Sequence, residues 1–252
     1  MKKAKIISLD ITLGAYRQVL GEIISLGKAR MPSFVCFANV HMTVEAAWNE
    51  QVKDGISAAN IITADGMPVV KAIGYKYGIK QDRIAGMDAM PDLLAMAETE
   101  NLSVFLFGTT KDVLELIEKK IGIEHPKLRV AGSISPPFGE NLNEQSEKYI
   151  DEINHSDADI VMVALGCPKQ EIWMEKHSRH IKATLLGLGG AFPVYAGLVK
   201  RAPRWMQRFS LEWLFRLGQD PRRLFKRYFL TNTIFLVLIT AEILSSKLKG
   251  SS

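Results

Sequence analysis

Residues 64–68, Ala-Asp-Gly-Met-Pro, place a carboxylate in a sequence typical of a tight turn into a helix. Gly66 permits the tight turn, and Pro68 suits the first turn of the helix that follows. Asp65 then has two interpretations. Its carboxylate could only cap that helix, or it could lie at the end of a strand as a base that takes a proton from a substrate hydroxyl.

A second pair of charged residues lies at residues 83–88, Arg-Ile-Ala-Gly-Met-Asp. The guanidinium of Arg83 could bind a diphosphate through paired hydrogen bonds, and Asp88 could cap a helix that begins at Ala89. The alternative is an ion pair between Arg83 and Asp88 on the protein surface.

Glycines follow three of the apolar runs. Gly108 precedes two threonines, and residues 166–171 read Gly-Cys-Pro-Lys-Gln-Glu. Turns of this kind present backbone N–H groups and a helix N-terminus to a phosphate or a sugar, so Gly108 becomes a candidate substrate contact. The third turn, residues 186–192, lies near the end of the chain, whereas a dinucleotide fingerprint belongs to the first βα turn of its domain. We therefore exclude a dinucleotide-dependent dehydrogenase.

Metal and thiol chemistry have little support in the sequence. Asp157 and Asp159 have the spacing by which many sugar transferases hold a divalent cation, but they precede a predicted strand and so lie at the wrong end of the sheet. The five histidines show no ligand spacing with cysteine, which argues against zinc. Cys36 and Cys167 are the only cysteines, a usage typical of a reducing cytoplasm. Cys167 has no evident partner base, so we expect a buried structural thiol there.

These residues need a scaffold in which strand ends meet, and the sequence predicts one. The predicted strands are residues 34–38, 60–63, 103–108, 129–131, 160–166 and 184–188. The predicted helices are residues 14–26, 42–59, 89–100, 111–120, 144–154 and 169–180. Their alternation predicts an α/β, Rossmann-like fold, in which a parallel sheet carries helices on both faces. Because ligands bind at the carboxyl ends of such strands, Asn39 and Asp65 become site candidates, and residues 135–139 could form an active-site loop.

The last fifty residues differ from the rest in charge. Residues 199–249 hold eleven Lys or Arg against three acids, interleaved with aromatic and aliphatic residues, in a chain of net charge +5. The alternation of strands and helices also stops after Pro203. We therefore predict a Rossmann-like core at residues 1–198 and a helical, basic C-terminal appendage at residues 199–252. Its composition suits an anionic membrane surface better than nucleic acid.

Two segments could be mistaken for membrane-targeting elements. The N-terminus is positive and apolar, but Asp10 interrupts the apolar run and no small-residue cleavage site follows, so we predict a first strand there. Residues 228–244 form a stretch of seventeen residues with several polar positions, whereas a membrane span needs about 20 mostly apolar ones. We expect an interfacial or partner-docking helix, with a contact in a homo-oligomer as an alternative.

Several blocks together resemble the WecG/TagA/CpsF family of bacterial glycosyltransferases, from about Phe34 to Arg227. The blocks are residues 64–68, 83–88, 166–171, 189–192, 200–207 and 211–216. The resemblance implies transfer of N-acetylmannosamine, its uronic acid or a related hexose or uronic acid from a UDP-sugar to a polyprenyl-diphosphate-linked saccharide. It implies inversion at the anomeric carbon, with no required metal and no cofactor. The enzyme would act as a peripheral protein at the cytoplasmic face of the cell membrane, in teichoic acid, enterobacterial common antigen or exopolysaccharide synthesis.

The resemblance also implies roles for individual residues. Asp65 would be the general base, Asn39 would line the same pocket, and Arg83 and Gln170 would contact the nucleotide-sugar. The appendage would close over the site, and its arginines would reach the diphosphates. The arginines in question are Arg216, Arg222, Arg223 and Arg227. At one position the chain departs from the family, because Phe37 stands where some members have a threonine, so a hydroxyl contact to the sugar is missing or supplied elsewhere.

Two other classes of function compete with this interpretation. A basic α/β protein could bind nucleic acid, but the charges lie beside runs of Leu, Ile and Phe and no known binding motif is present, so we expect no nucleic-acid partner. A non-enzymatic scaffold of a polysaccharide assembly complex could use the appendage to dock another membrane protein. Loss of sugar transfer on changing Asp65 would separate an enzyme from a scaffold.

Overall fold

In the part of the chain that the structure describes, eight strands form two sheets. The structure, a computed structural model, describes residues 1–137 and 145–249, apart from the side chains at positions 204, 208, 223, 227 and 246–249. Strands β1 (Lys3–Ile6) and β2 (Leu9–Thr12) pair antiparallel as a separate hairpin. The main sheet consists of β3 (Ser33–Ala38), β4 (Ile61–Ala64), β5 (Ser103–Gly108), β6 (Arg129–Ile134), β7 (Ile160–Ala164) and β8 (Thr184–Gly187). Its strands are all parallel, in the order β4-β3-β8-β7-β5-β6.

Helices connect these strands and follow them. Between β2 and β6 lie α1 (Tyr16–Lys28), α2 (Val40–Trp48), α3 (Glu50–Ser57), α4 (Met67–Tyr77), α5 (Gly86–Thr99) and α6 (Lys111–Glu124). After β6 come α7 (Ser146–His155), α8 (Lys169–His177), a short 3₁₀ turn (Ser178–His180) and α9 (Ala191–Tyr195). The C-terminal part holds α10 (Arg204–Arg208), α11 (Glu212–Gln219) and the long α12 (Pro221–Lys249).

Both faces of the sheet are buried under helices. In β3, Phe34 and Cys36 belong to a core cluster that contains residues of α2, α3, α4, α7, α8 and α12. Val35 and Phe37, which point to the opposite face, belong to a second cluster with α1, α5, α6 and α9. Continuous apolar strands are typical of a parallel sheet that is covered on both faces. The predicted α/β fold, with its six sheet strands and its helical C-terminal part, is confirmed.

Two of the predicted helix caps are wrong. The N-cap of α4 is Gly66 rather than Asp65, and no side chain caps that helix. Helix α5 begins at Gly86, three residues before the predicted start, so Asp88 lies in its first turn and is not its cap. The predicted helix at residues 42–59 is two helices, α2 and α3, because Asn49 ends the first and caps the second with its side chain. Because Asp65 does not cap α4, its carboxylate is available for other contacts.

The long helix α12 lies against the core. Phe235 and Ile239 are buried in the first cluster. Further along, the Glu242 carboxylate accepts hydrogen bonds from Lys76 Nζ (2.7 Å) and from the backbone N–H of Ile7 (2.8 Å). Residues Leu224–Ser245 of this helix are long and apolar enough to cross a bilayer, as judged by length and composition alone, and they include the stretch 228–244. The expectation of an interfacial or partner-docking helix stays a prediction. In the structure, the ion pair at Glu242 holds the end of this helix on the protein.

Candidate active site

A cleft of about 960 Å³ opens at the carboxyl ends of β3, β4, β7 and β8. The C-terminal part of the chain, from Leu198 to Asn232, supplies one of its walls. A smaller cavity of about 110 Å³ shares several lining residues with the cleft, among them Asp65 and Arg216. The position agrees with the rule that ligands of open α/β sheets bind beyond the carboxyl ends of the strands.

Asp65 lines both cavities, one residue beyond β4. Its Oδ2 accepts a long hydrogen bond from the backbone N–H of Gly86 (3.5 Å). Burial raises the pKa of Asp65 to about 7, while Arg83 lowers it, Glu212 raises it and Arg216 lowers it. A carboxylate with this pKa is ionised in a large fraction of molecules at neutral pH yet still binds a proton readily. These are the properties that general-base catalysis requires.

Arg83 lies in the cleft but is held by other side chains. Its guanidinium donates to Glu212 Oε2 (2.7 Å), Asp88 Oδ2 (2.7 Å) and Gln207 Oε1 (3.1 Å). Arg201 also pairs with Asp88. The ion pair of Arg83 with Asp88, considered above as a surface contact, is therefore part of a network that joins the core to the C-terminal helices. Three of the five N–H donors of Arg83 are used within the protein, so a contact from Arg83 to a nucleotide-sugar stays a prediction.

Among the described arginine side chains of the C-terminal part, Arg216 lines both cavities. Its Nη2 lies 3.4 Å from Met87 Sδ, and the position a Cβ would take on Gly190 is also 3.4 Å away. Arg222 is exposed and does not line the cleft. The side chains of Arg223 and Arg227 lie outside the described residues. Of the two predicted arginines whose side chains the structure describes, Arg216 lines the cleft and Arg222 does not.

Gln170 and Asn39 both line the smaller cavity. The carboxamide of Gln170 is fixed, since its Nε2 donates to Glu171 Oε1 (2.7 Å) and its Oε1 accepts from the backbone N–H of Gly166 (3.2 Å). Burial raises the pKa of Glu171. Asn39 caps α2, with its Oδ1 accepting from the N–H of Met42 (3.1 Å). Both polar side chains are held in place before any ligand enters.

Glycines and an apolar ring shape the smaller cavity. A Cβ on Gly189 would lie 2.9 Å from Gln170 Oε1, so glycine at 189 makes room for that side chain. Phe37 is buried and lines this cavity, so an apolar ring stands at the position where the resemblance implies a threonine in some relatives. Cys167 is only half-buried and lines both cavities, so the expectation of a buried thiol is wrong. Cys167 lies at the cleft because it belongs to the turn after β7, which the sequence predicted to lie near the site.

Gly108 lies outside both cavities. A Cβ at this position would come within 2.4 Å of the Ala164 carbonyl oxygen, and the backbone adopts φ of +114°. Glycine is therefore required for the close approach of β5 to β7, and a role in substrate binding stays a prediction. Of the predicted loop at 135–139, Ser135 donates its hydroxyl to the Thr109 carbonyl (2.7 Å), and positions 138 and 139 lie outside the described residues.

Asp157 and Asp159 lie at the amino end of β7, away from the cleft. Asp157 accepts from Arg30 (2.8 Å), and Asp159 accepts from the backbone N–H and the hydroxyl of Ser103 (both 2.8 Å). These contacts are those of a structural loop. In the described residues, no group of three or more His, Cys, Asp or Glu side chains converges as a metal site.

The family model for the glycosyl transferase WecG/TagA/CpsF family matches residues 4–249. The chain belongs to this family. Among WecG/TagA/CpsF relatives with assigned activities, a protein of Bacillus subtilis (strain 168) is 34% identical over 196 residues, which cover 77% of this chain and 74% of that protein. A protein of Bacillus spizizenii is 36% identical over 196 residues, which cover 76% and 73%. Both relatives are named N-acetylglucosaminyldiphosphoundecaprenol N-acetyl-β-D-mannosaminyltransferase.

Several cleft residues of this family member were missed in the sequence. Glu212 and Trp213 fall in the block at 211–216, but nothing local indicates that Glu212 contacts Arg83. His41 lies two residues after Asn39 and lines the cleft as well. Asn232 appears in the sequence only as a polar interruption of an apolar stretch. This interruption is the signal that could have identified Asn232, because a polar side chain within an apolar helix is favourable only where it meets solvent or a polar partner.

Proposed function

We propose that this protein transfers a sugar from a UDP-sugar to a saccharide carried on a polyprenyl diphosphate. N-acetylmannosamine, its uronic acid or a related hexose or uronic acid is the donor sugar. The observation that carries this proposal is the placement of Asp65, with its raised pKa, between the two cavities of one cleft. The names of the two Bacillus relatives support the acceptor class.

Asp65 acts as the general base in this proposal. Its carboxylate takes the proton of the acceptor hydroxyl as that oxygen attacks the anomeric carbon. The bond from the anomeric carbon to the diphosphate oxygen breaks on the opposite side, and UDP leaves with the electron pair. A single displacement of this kind inverts the anomeric configuration. At the end of the step the proton resides on Asp65 and passes to solvent through the open side of the cleft.

The departing diphosphate needs positive charge near Asp65. Arg216 supplies it, because its guanidinium lies at the floor of the cleft and the hydrogen bond that the structure gives it is the weak one to Met87. Lys200 lines the same cleft and adds a second cation. Fixed cations that meet charge developing in the transition state are a principal source of catalysis and require no change at the moment of reaction. Gln170 and Asn39 position the donor sugar from the smaller cavity.

The C-terminal part, residues 199–252, docks on the cytoplasmic face of the membrane as a peripheral appendage. Four large aromatic side chains are exposed on it, and the last two of them stack on each other: Trp205, Phe209, Phe225 and Phe229. Exposed rings among lysines and arginines favour the interface of an anionic bilayer. The ion pair between Glu242 and Lys76 supports a helix that lies along the protein.

The proposal is tested by incubating the full-length protein with a panel of UDP-sugars and a short-lipid diphospho-N-acetylglucosamine acceptor, in the presence of EDTA. We expect transfer from one donor, unaffected by EDTA and reduced at least 1,000-fold in Asp65→Asn, a loss in the range of general-base contributions. Asp112→Asn, on the exposed first turn of α6, is the matched control and should keep full activity. Equal transfer by Asp65→Asn and wild type would contradict the role of Asp65 and favour another base.

A further inference from the structure

We propose that the first saccharide of the lipid-linked acceptor binds against the part of the cleft formed by Tyr228 and Asn232 of α12 and by His41 of α2. This surface is called the acceptor wall below. The inference rests on the proposed function and adds to it the side chains that recognise the acceptor sugar. All three residues line the large cleft, and none lines the smaller cavity.

The inward face of α12 changes character along its length. Phe235 and Ile239 are apolar, buried and packed in the core. Thr231 and Asn232 lie about one turn before Phe235 on the same face, and Tyr228 lies about two turns before it. All three line the cleft. Thr231 is buried, Tyr228 and Asn232 are half-buried, and all three stand where the helix leaves the core and borders the cleft. The side chains of Asn232 and Tyr228 can therefore meet a ligand that enters the cleft.

The chemistry of the acceptor wall fits a sugar. Asn232 offers two N–H donors and a carbonyl acceptor, which matches the hydroxyl and acetamido groups of a hexosamine. The ring of Tyr228 is held edge-on by Trp213, at a centroid distance of 6.2 Å and an interplanar angle of 82°. An aromatic ring fixed in this way gives a flat apolar surface with a hydroxyl at its edge. His41 lies 3.7 Å from Glu45 of its own helix, α2, which packs against α12.

The position of the wall favours the acceptor over the donor. Asp65 lines both cavities, so a base at this point can face an acceptor in the large cleft and a donor sugar in the smaller one. Phe225 and Phe229 are exposed on α12 within one turn of Tyr228. A polyprenyl chain leaving the large cleft beside α12 therefore meets apolar surface, whereas the lining of the smaller cavity includes the glycine turn after β8 and no residue of α12.

The experiment measures steady-state transfer by full-length protein with two acceptors on the same short lipid, diphospho-N-acetylglucosamine and diphospho-glucose. The variants are Asn232→Ala and Tyr228→Leu. Thr233→Ala is the matched control, because its exposed hydroxyl bonds to the Phe229 carbonyl of its own helix. We expect kcat/KM for the N-acetylglucosamine acceptor to fall about tenfold in Asn232→Ala, the effect of one lost hydrogen bond, while KM for the donor changes less than twofold. The preference for N-acetylglucosamine over glucose should shrink by a similar factor.

The outcomes separate the two proposals. Equal losses for donor and acceptor in Asn232→Ala, or a loss no larger than in Thr233→Ala, would overturn the acceptor wall while leaving the proposed function intact. Absence of transfer by the wild-type protein to either acceptor, from any UDP-sugar, would overturn both. Thermal unfolding of each variant shows whether a loss reflects the site or the fold, and Tyr228→Phe, which keeps the ring, should retain more activity than Tyr228→Leu.

Discussion

The substitution Glu212→Gln should release the C-terminal helices from the core. Glu212 and Arg83 form an ion pair of 2.7 Å, and each side chain is 15% exposed. Arg83 lies before α5 of the core, whereas Glu212 opens α11, so the pair connects the two parts of the protein across the cleft. Glutamine keeps the shape of the side chain and removes its charge.

The size of the effect follows from the contacts that remain. Breaking a well-buried ion pair costs about 3–5 kcal/mol, because the surviving charge is left without a partner. Arg83 keeps its hydrogen bonds to Asp88 and Gln207, so the loss is closer to that of one charged hydrogen bond, about 2 kcal/mol. The equilibrium between docked and released C-terminal helices should therefore shift by about 30-fold.

Hydrogen exchange measures this shift directly. Amides of α10 and α11 should exchange about 30-fold faster in Glu212→Gln, while amides of the central strands β7 and β8 keep their protection. Glu115→Gln, on the exposed face of α6, is the control for the loss of one carboxylate. The pKa of Asp65 should fall as well, because Glu212 raises it and Arg83 lowers it.

Two results would refute this reasoning. Unchanged exchange in α10 and α11 would mean that the pair does not hold the C-terminal helices on the core. Faster exchange throughout the main sheet would mean that the substitution destabilises the whole fold and does not act on docking. Either result would contradict the role of Arg83 in holding the C-terminal helices on the core, and nucleotide binding would be the alternative role.

Three further predictions concern the base and the fold. The pH profile of kcat/KM should rise with pH and reach half of its maximum near pH 7. The reason is that burial raises the pKa of Asp65 to about 7 and only the ionised carboxylate takes a proton. A half-maximum near pH 4 would be inconsistent with this role of Asp65. Gly108→Ala should destabilise the protein by about 3 kcal/mol in denaturant unfolding, since the added Cβ would lie 2.4 Å from the Ala164 carbonyl oxygen. Glu242→Gln should lower the free energy of unfolding by about 1–2 kcal/mol in the same measurement, because Lys76, 11% exposed, loses its charged partner. A variant as stable as the wild type would mean that this ion pair does not hold α12 on the core.

Much of the scaffold could be predicted from local pattern. The runs at 104–107 and 160–164 are apolar at every position, which requires burial on both faces and indicates a parallel sheet. Asp65 was placed correctly as a strand-end residue for the same reason, since ligands bind where parallel strands end. The order of the strands could not be predicted, because neighbours such as β3 and β8 are distant in sequence and no local signal pairs them.

The contacts that complete the site depend on residues far apart in the chain. Arg83 looked free to bind a diphosphate, yet its partner Glu212 lies 129 positions away. The caps were misjudged for a simpler reason: Asp65 and Asp88 have the residue type of a cap, but Gly66 and Ala85 occupy the cap positions. Asn232 was visible only as a polar interruption, and its position on the cleft follows from the packing of α12.

In the proposed reaction, Asp65 serves as the base for sugar transfer to a lipid-linked acceptor. Single-turnover transfer from a labelled UDP-sugar to short-lipid diphospho-N-acetylglucosamine, with wild type and Asp65→Asn compared at pH 8, tests it most directly. We expect the wild type to form labelled product of inverted anomeric configuration in a single exponential phase, and the variant to form it about 1,000-fold more slowly. The same rate in both proteins, or product of retained configuration, would contradict it.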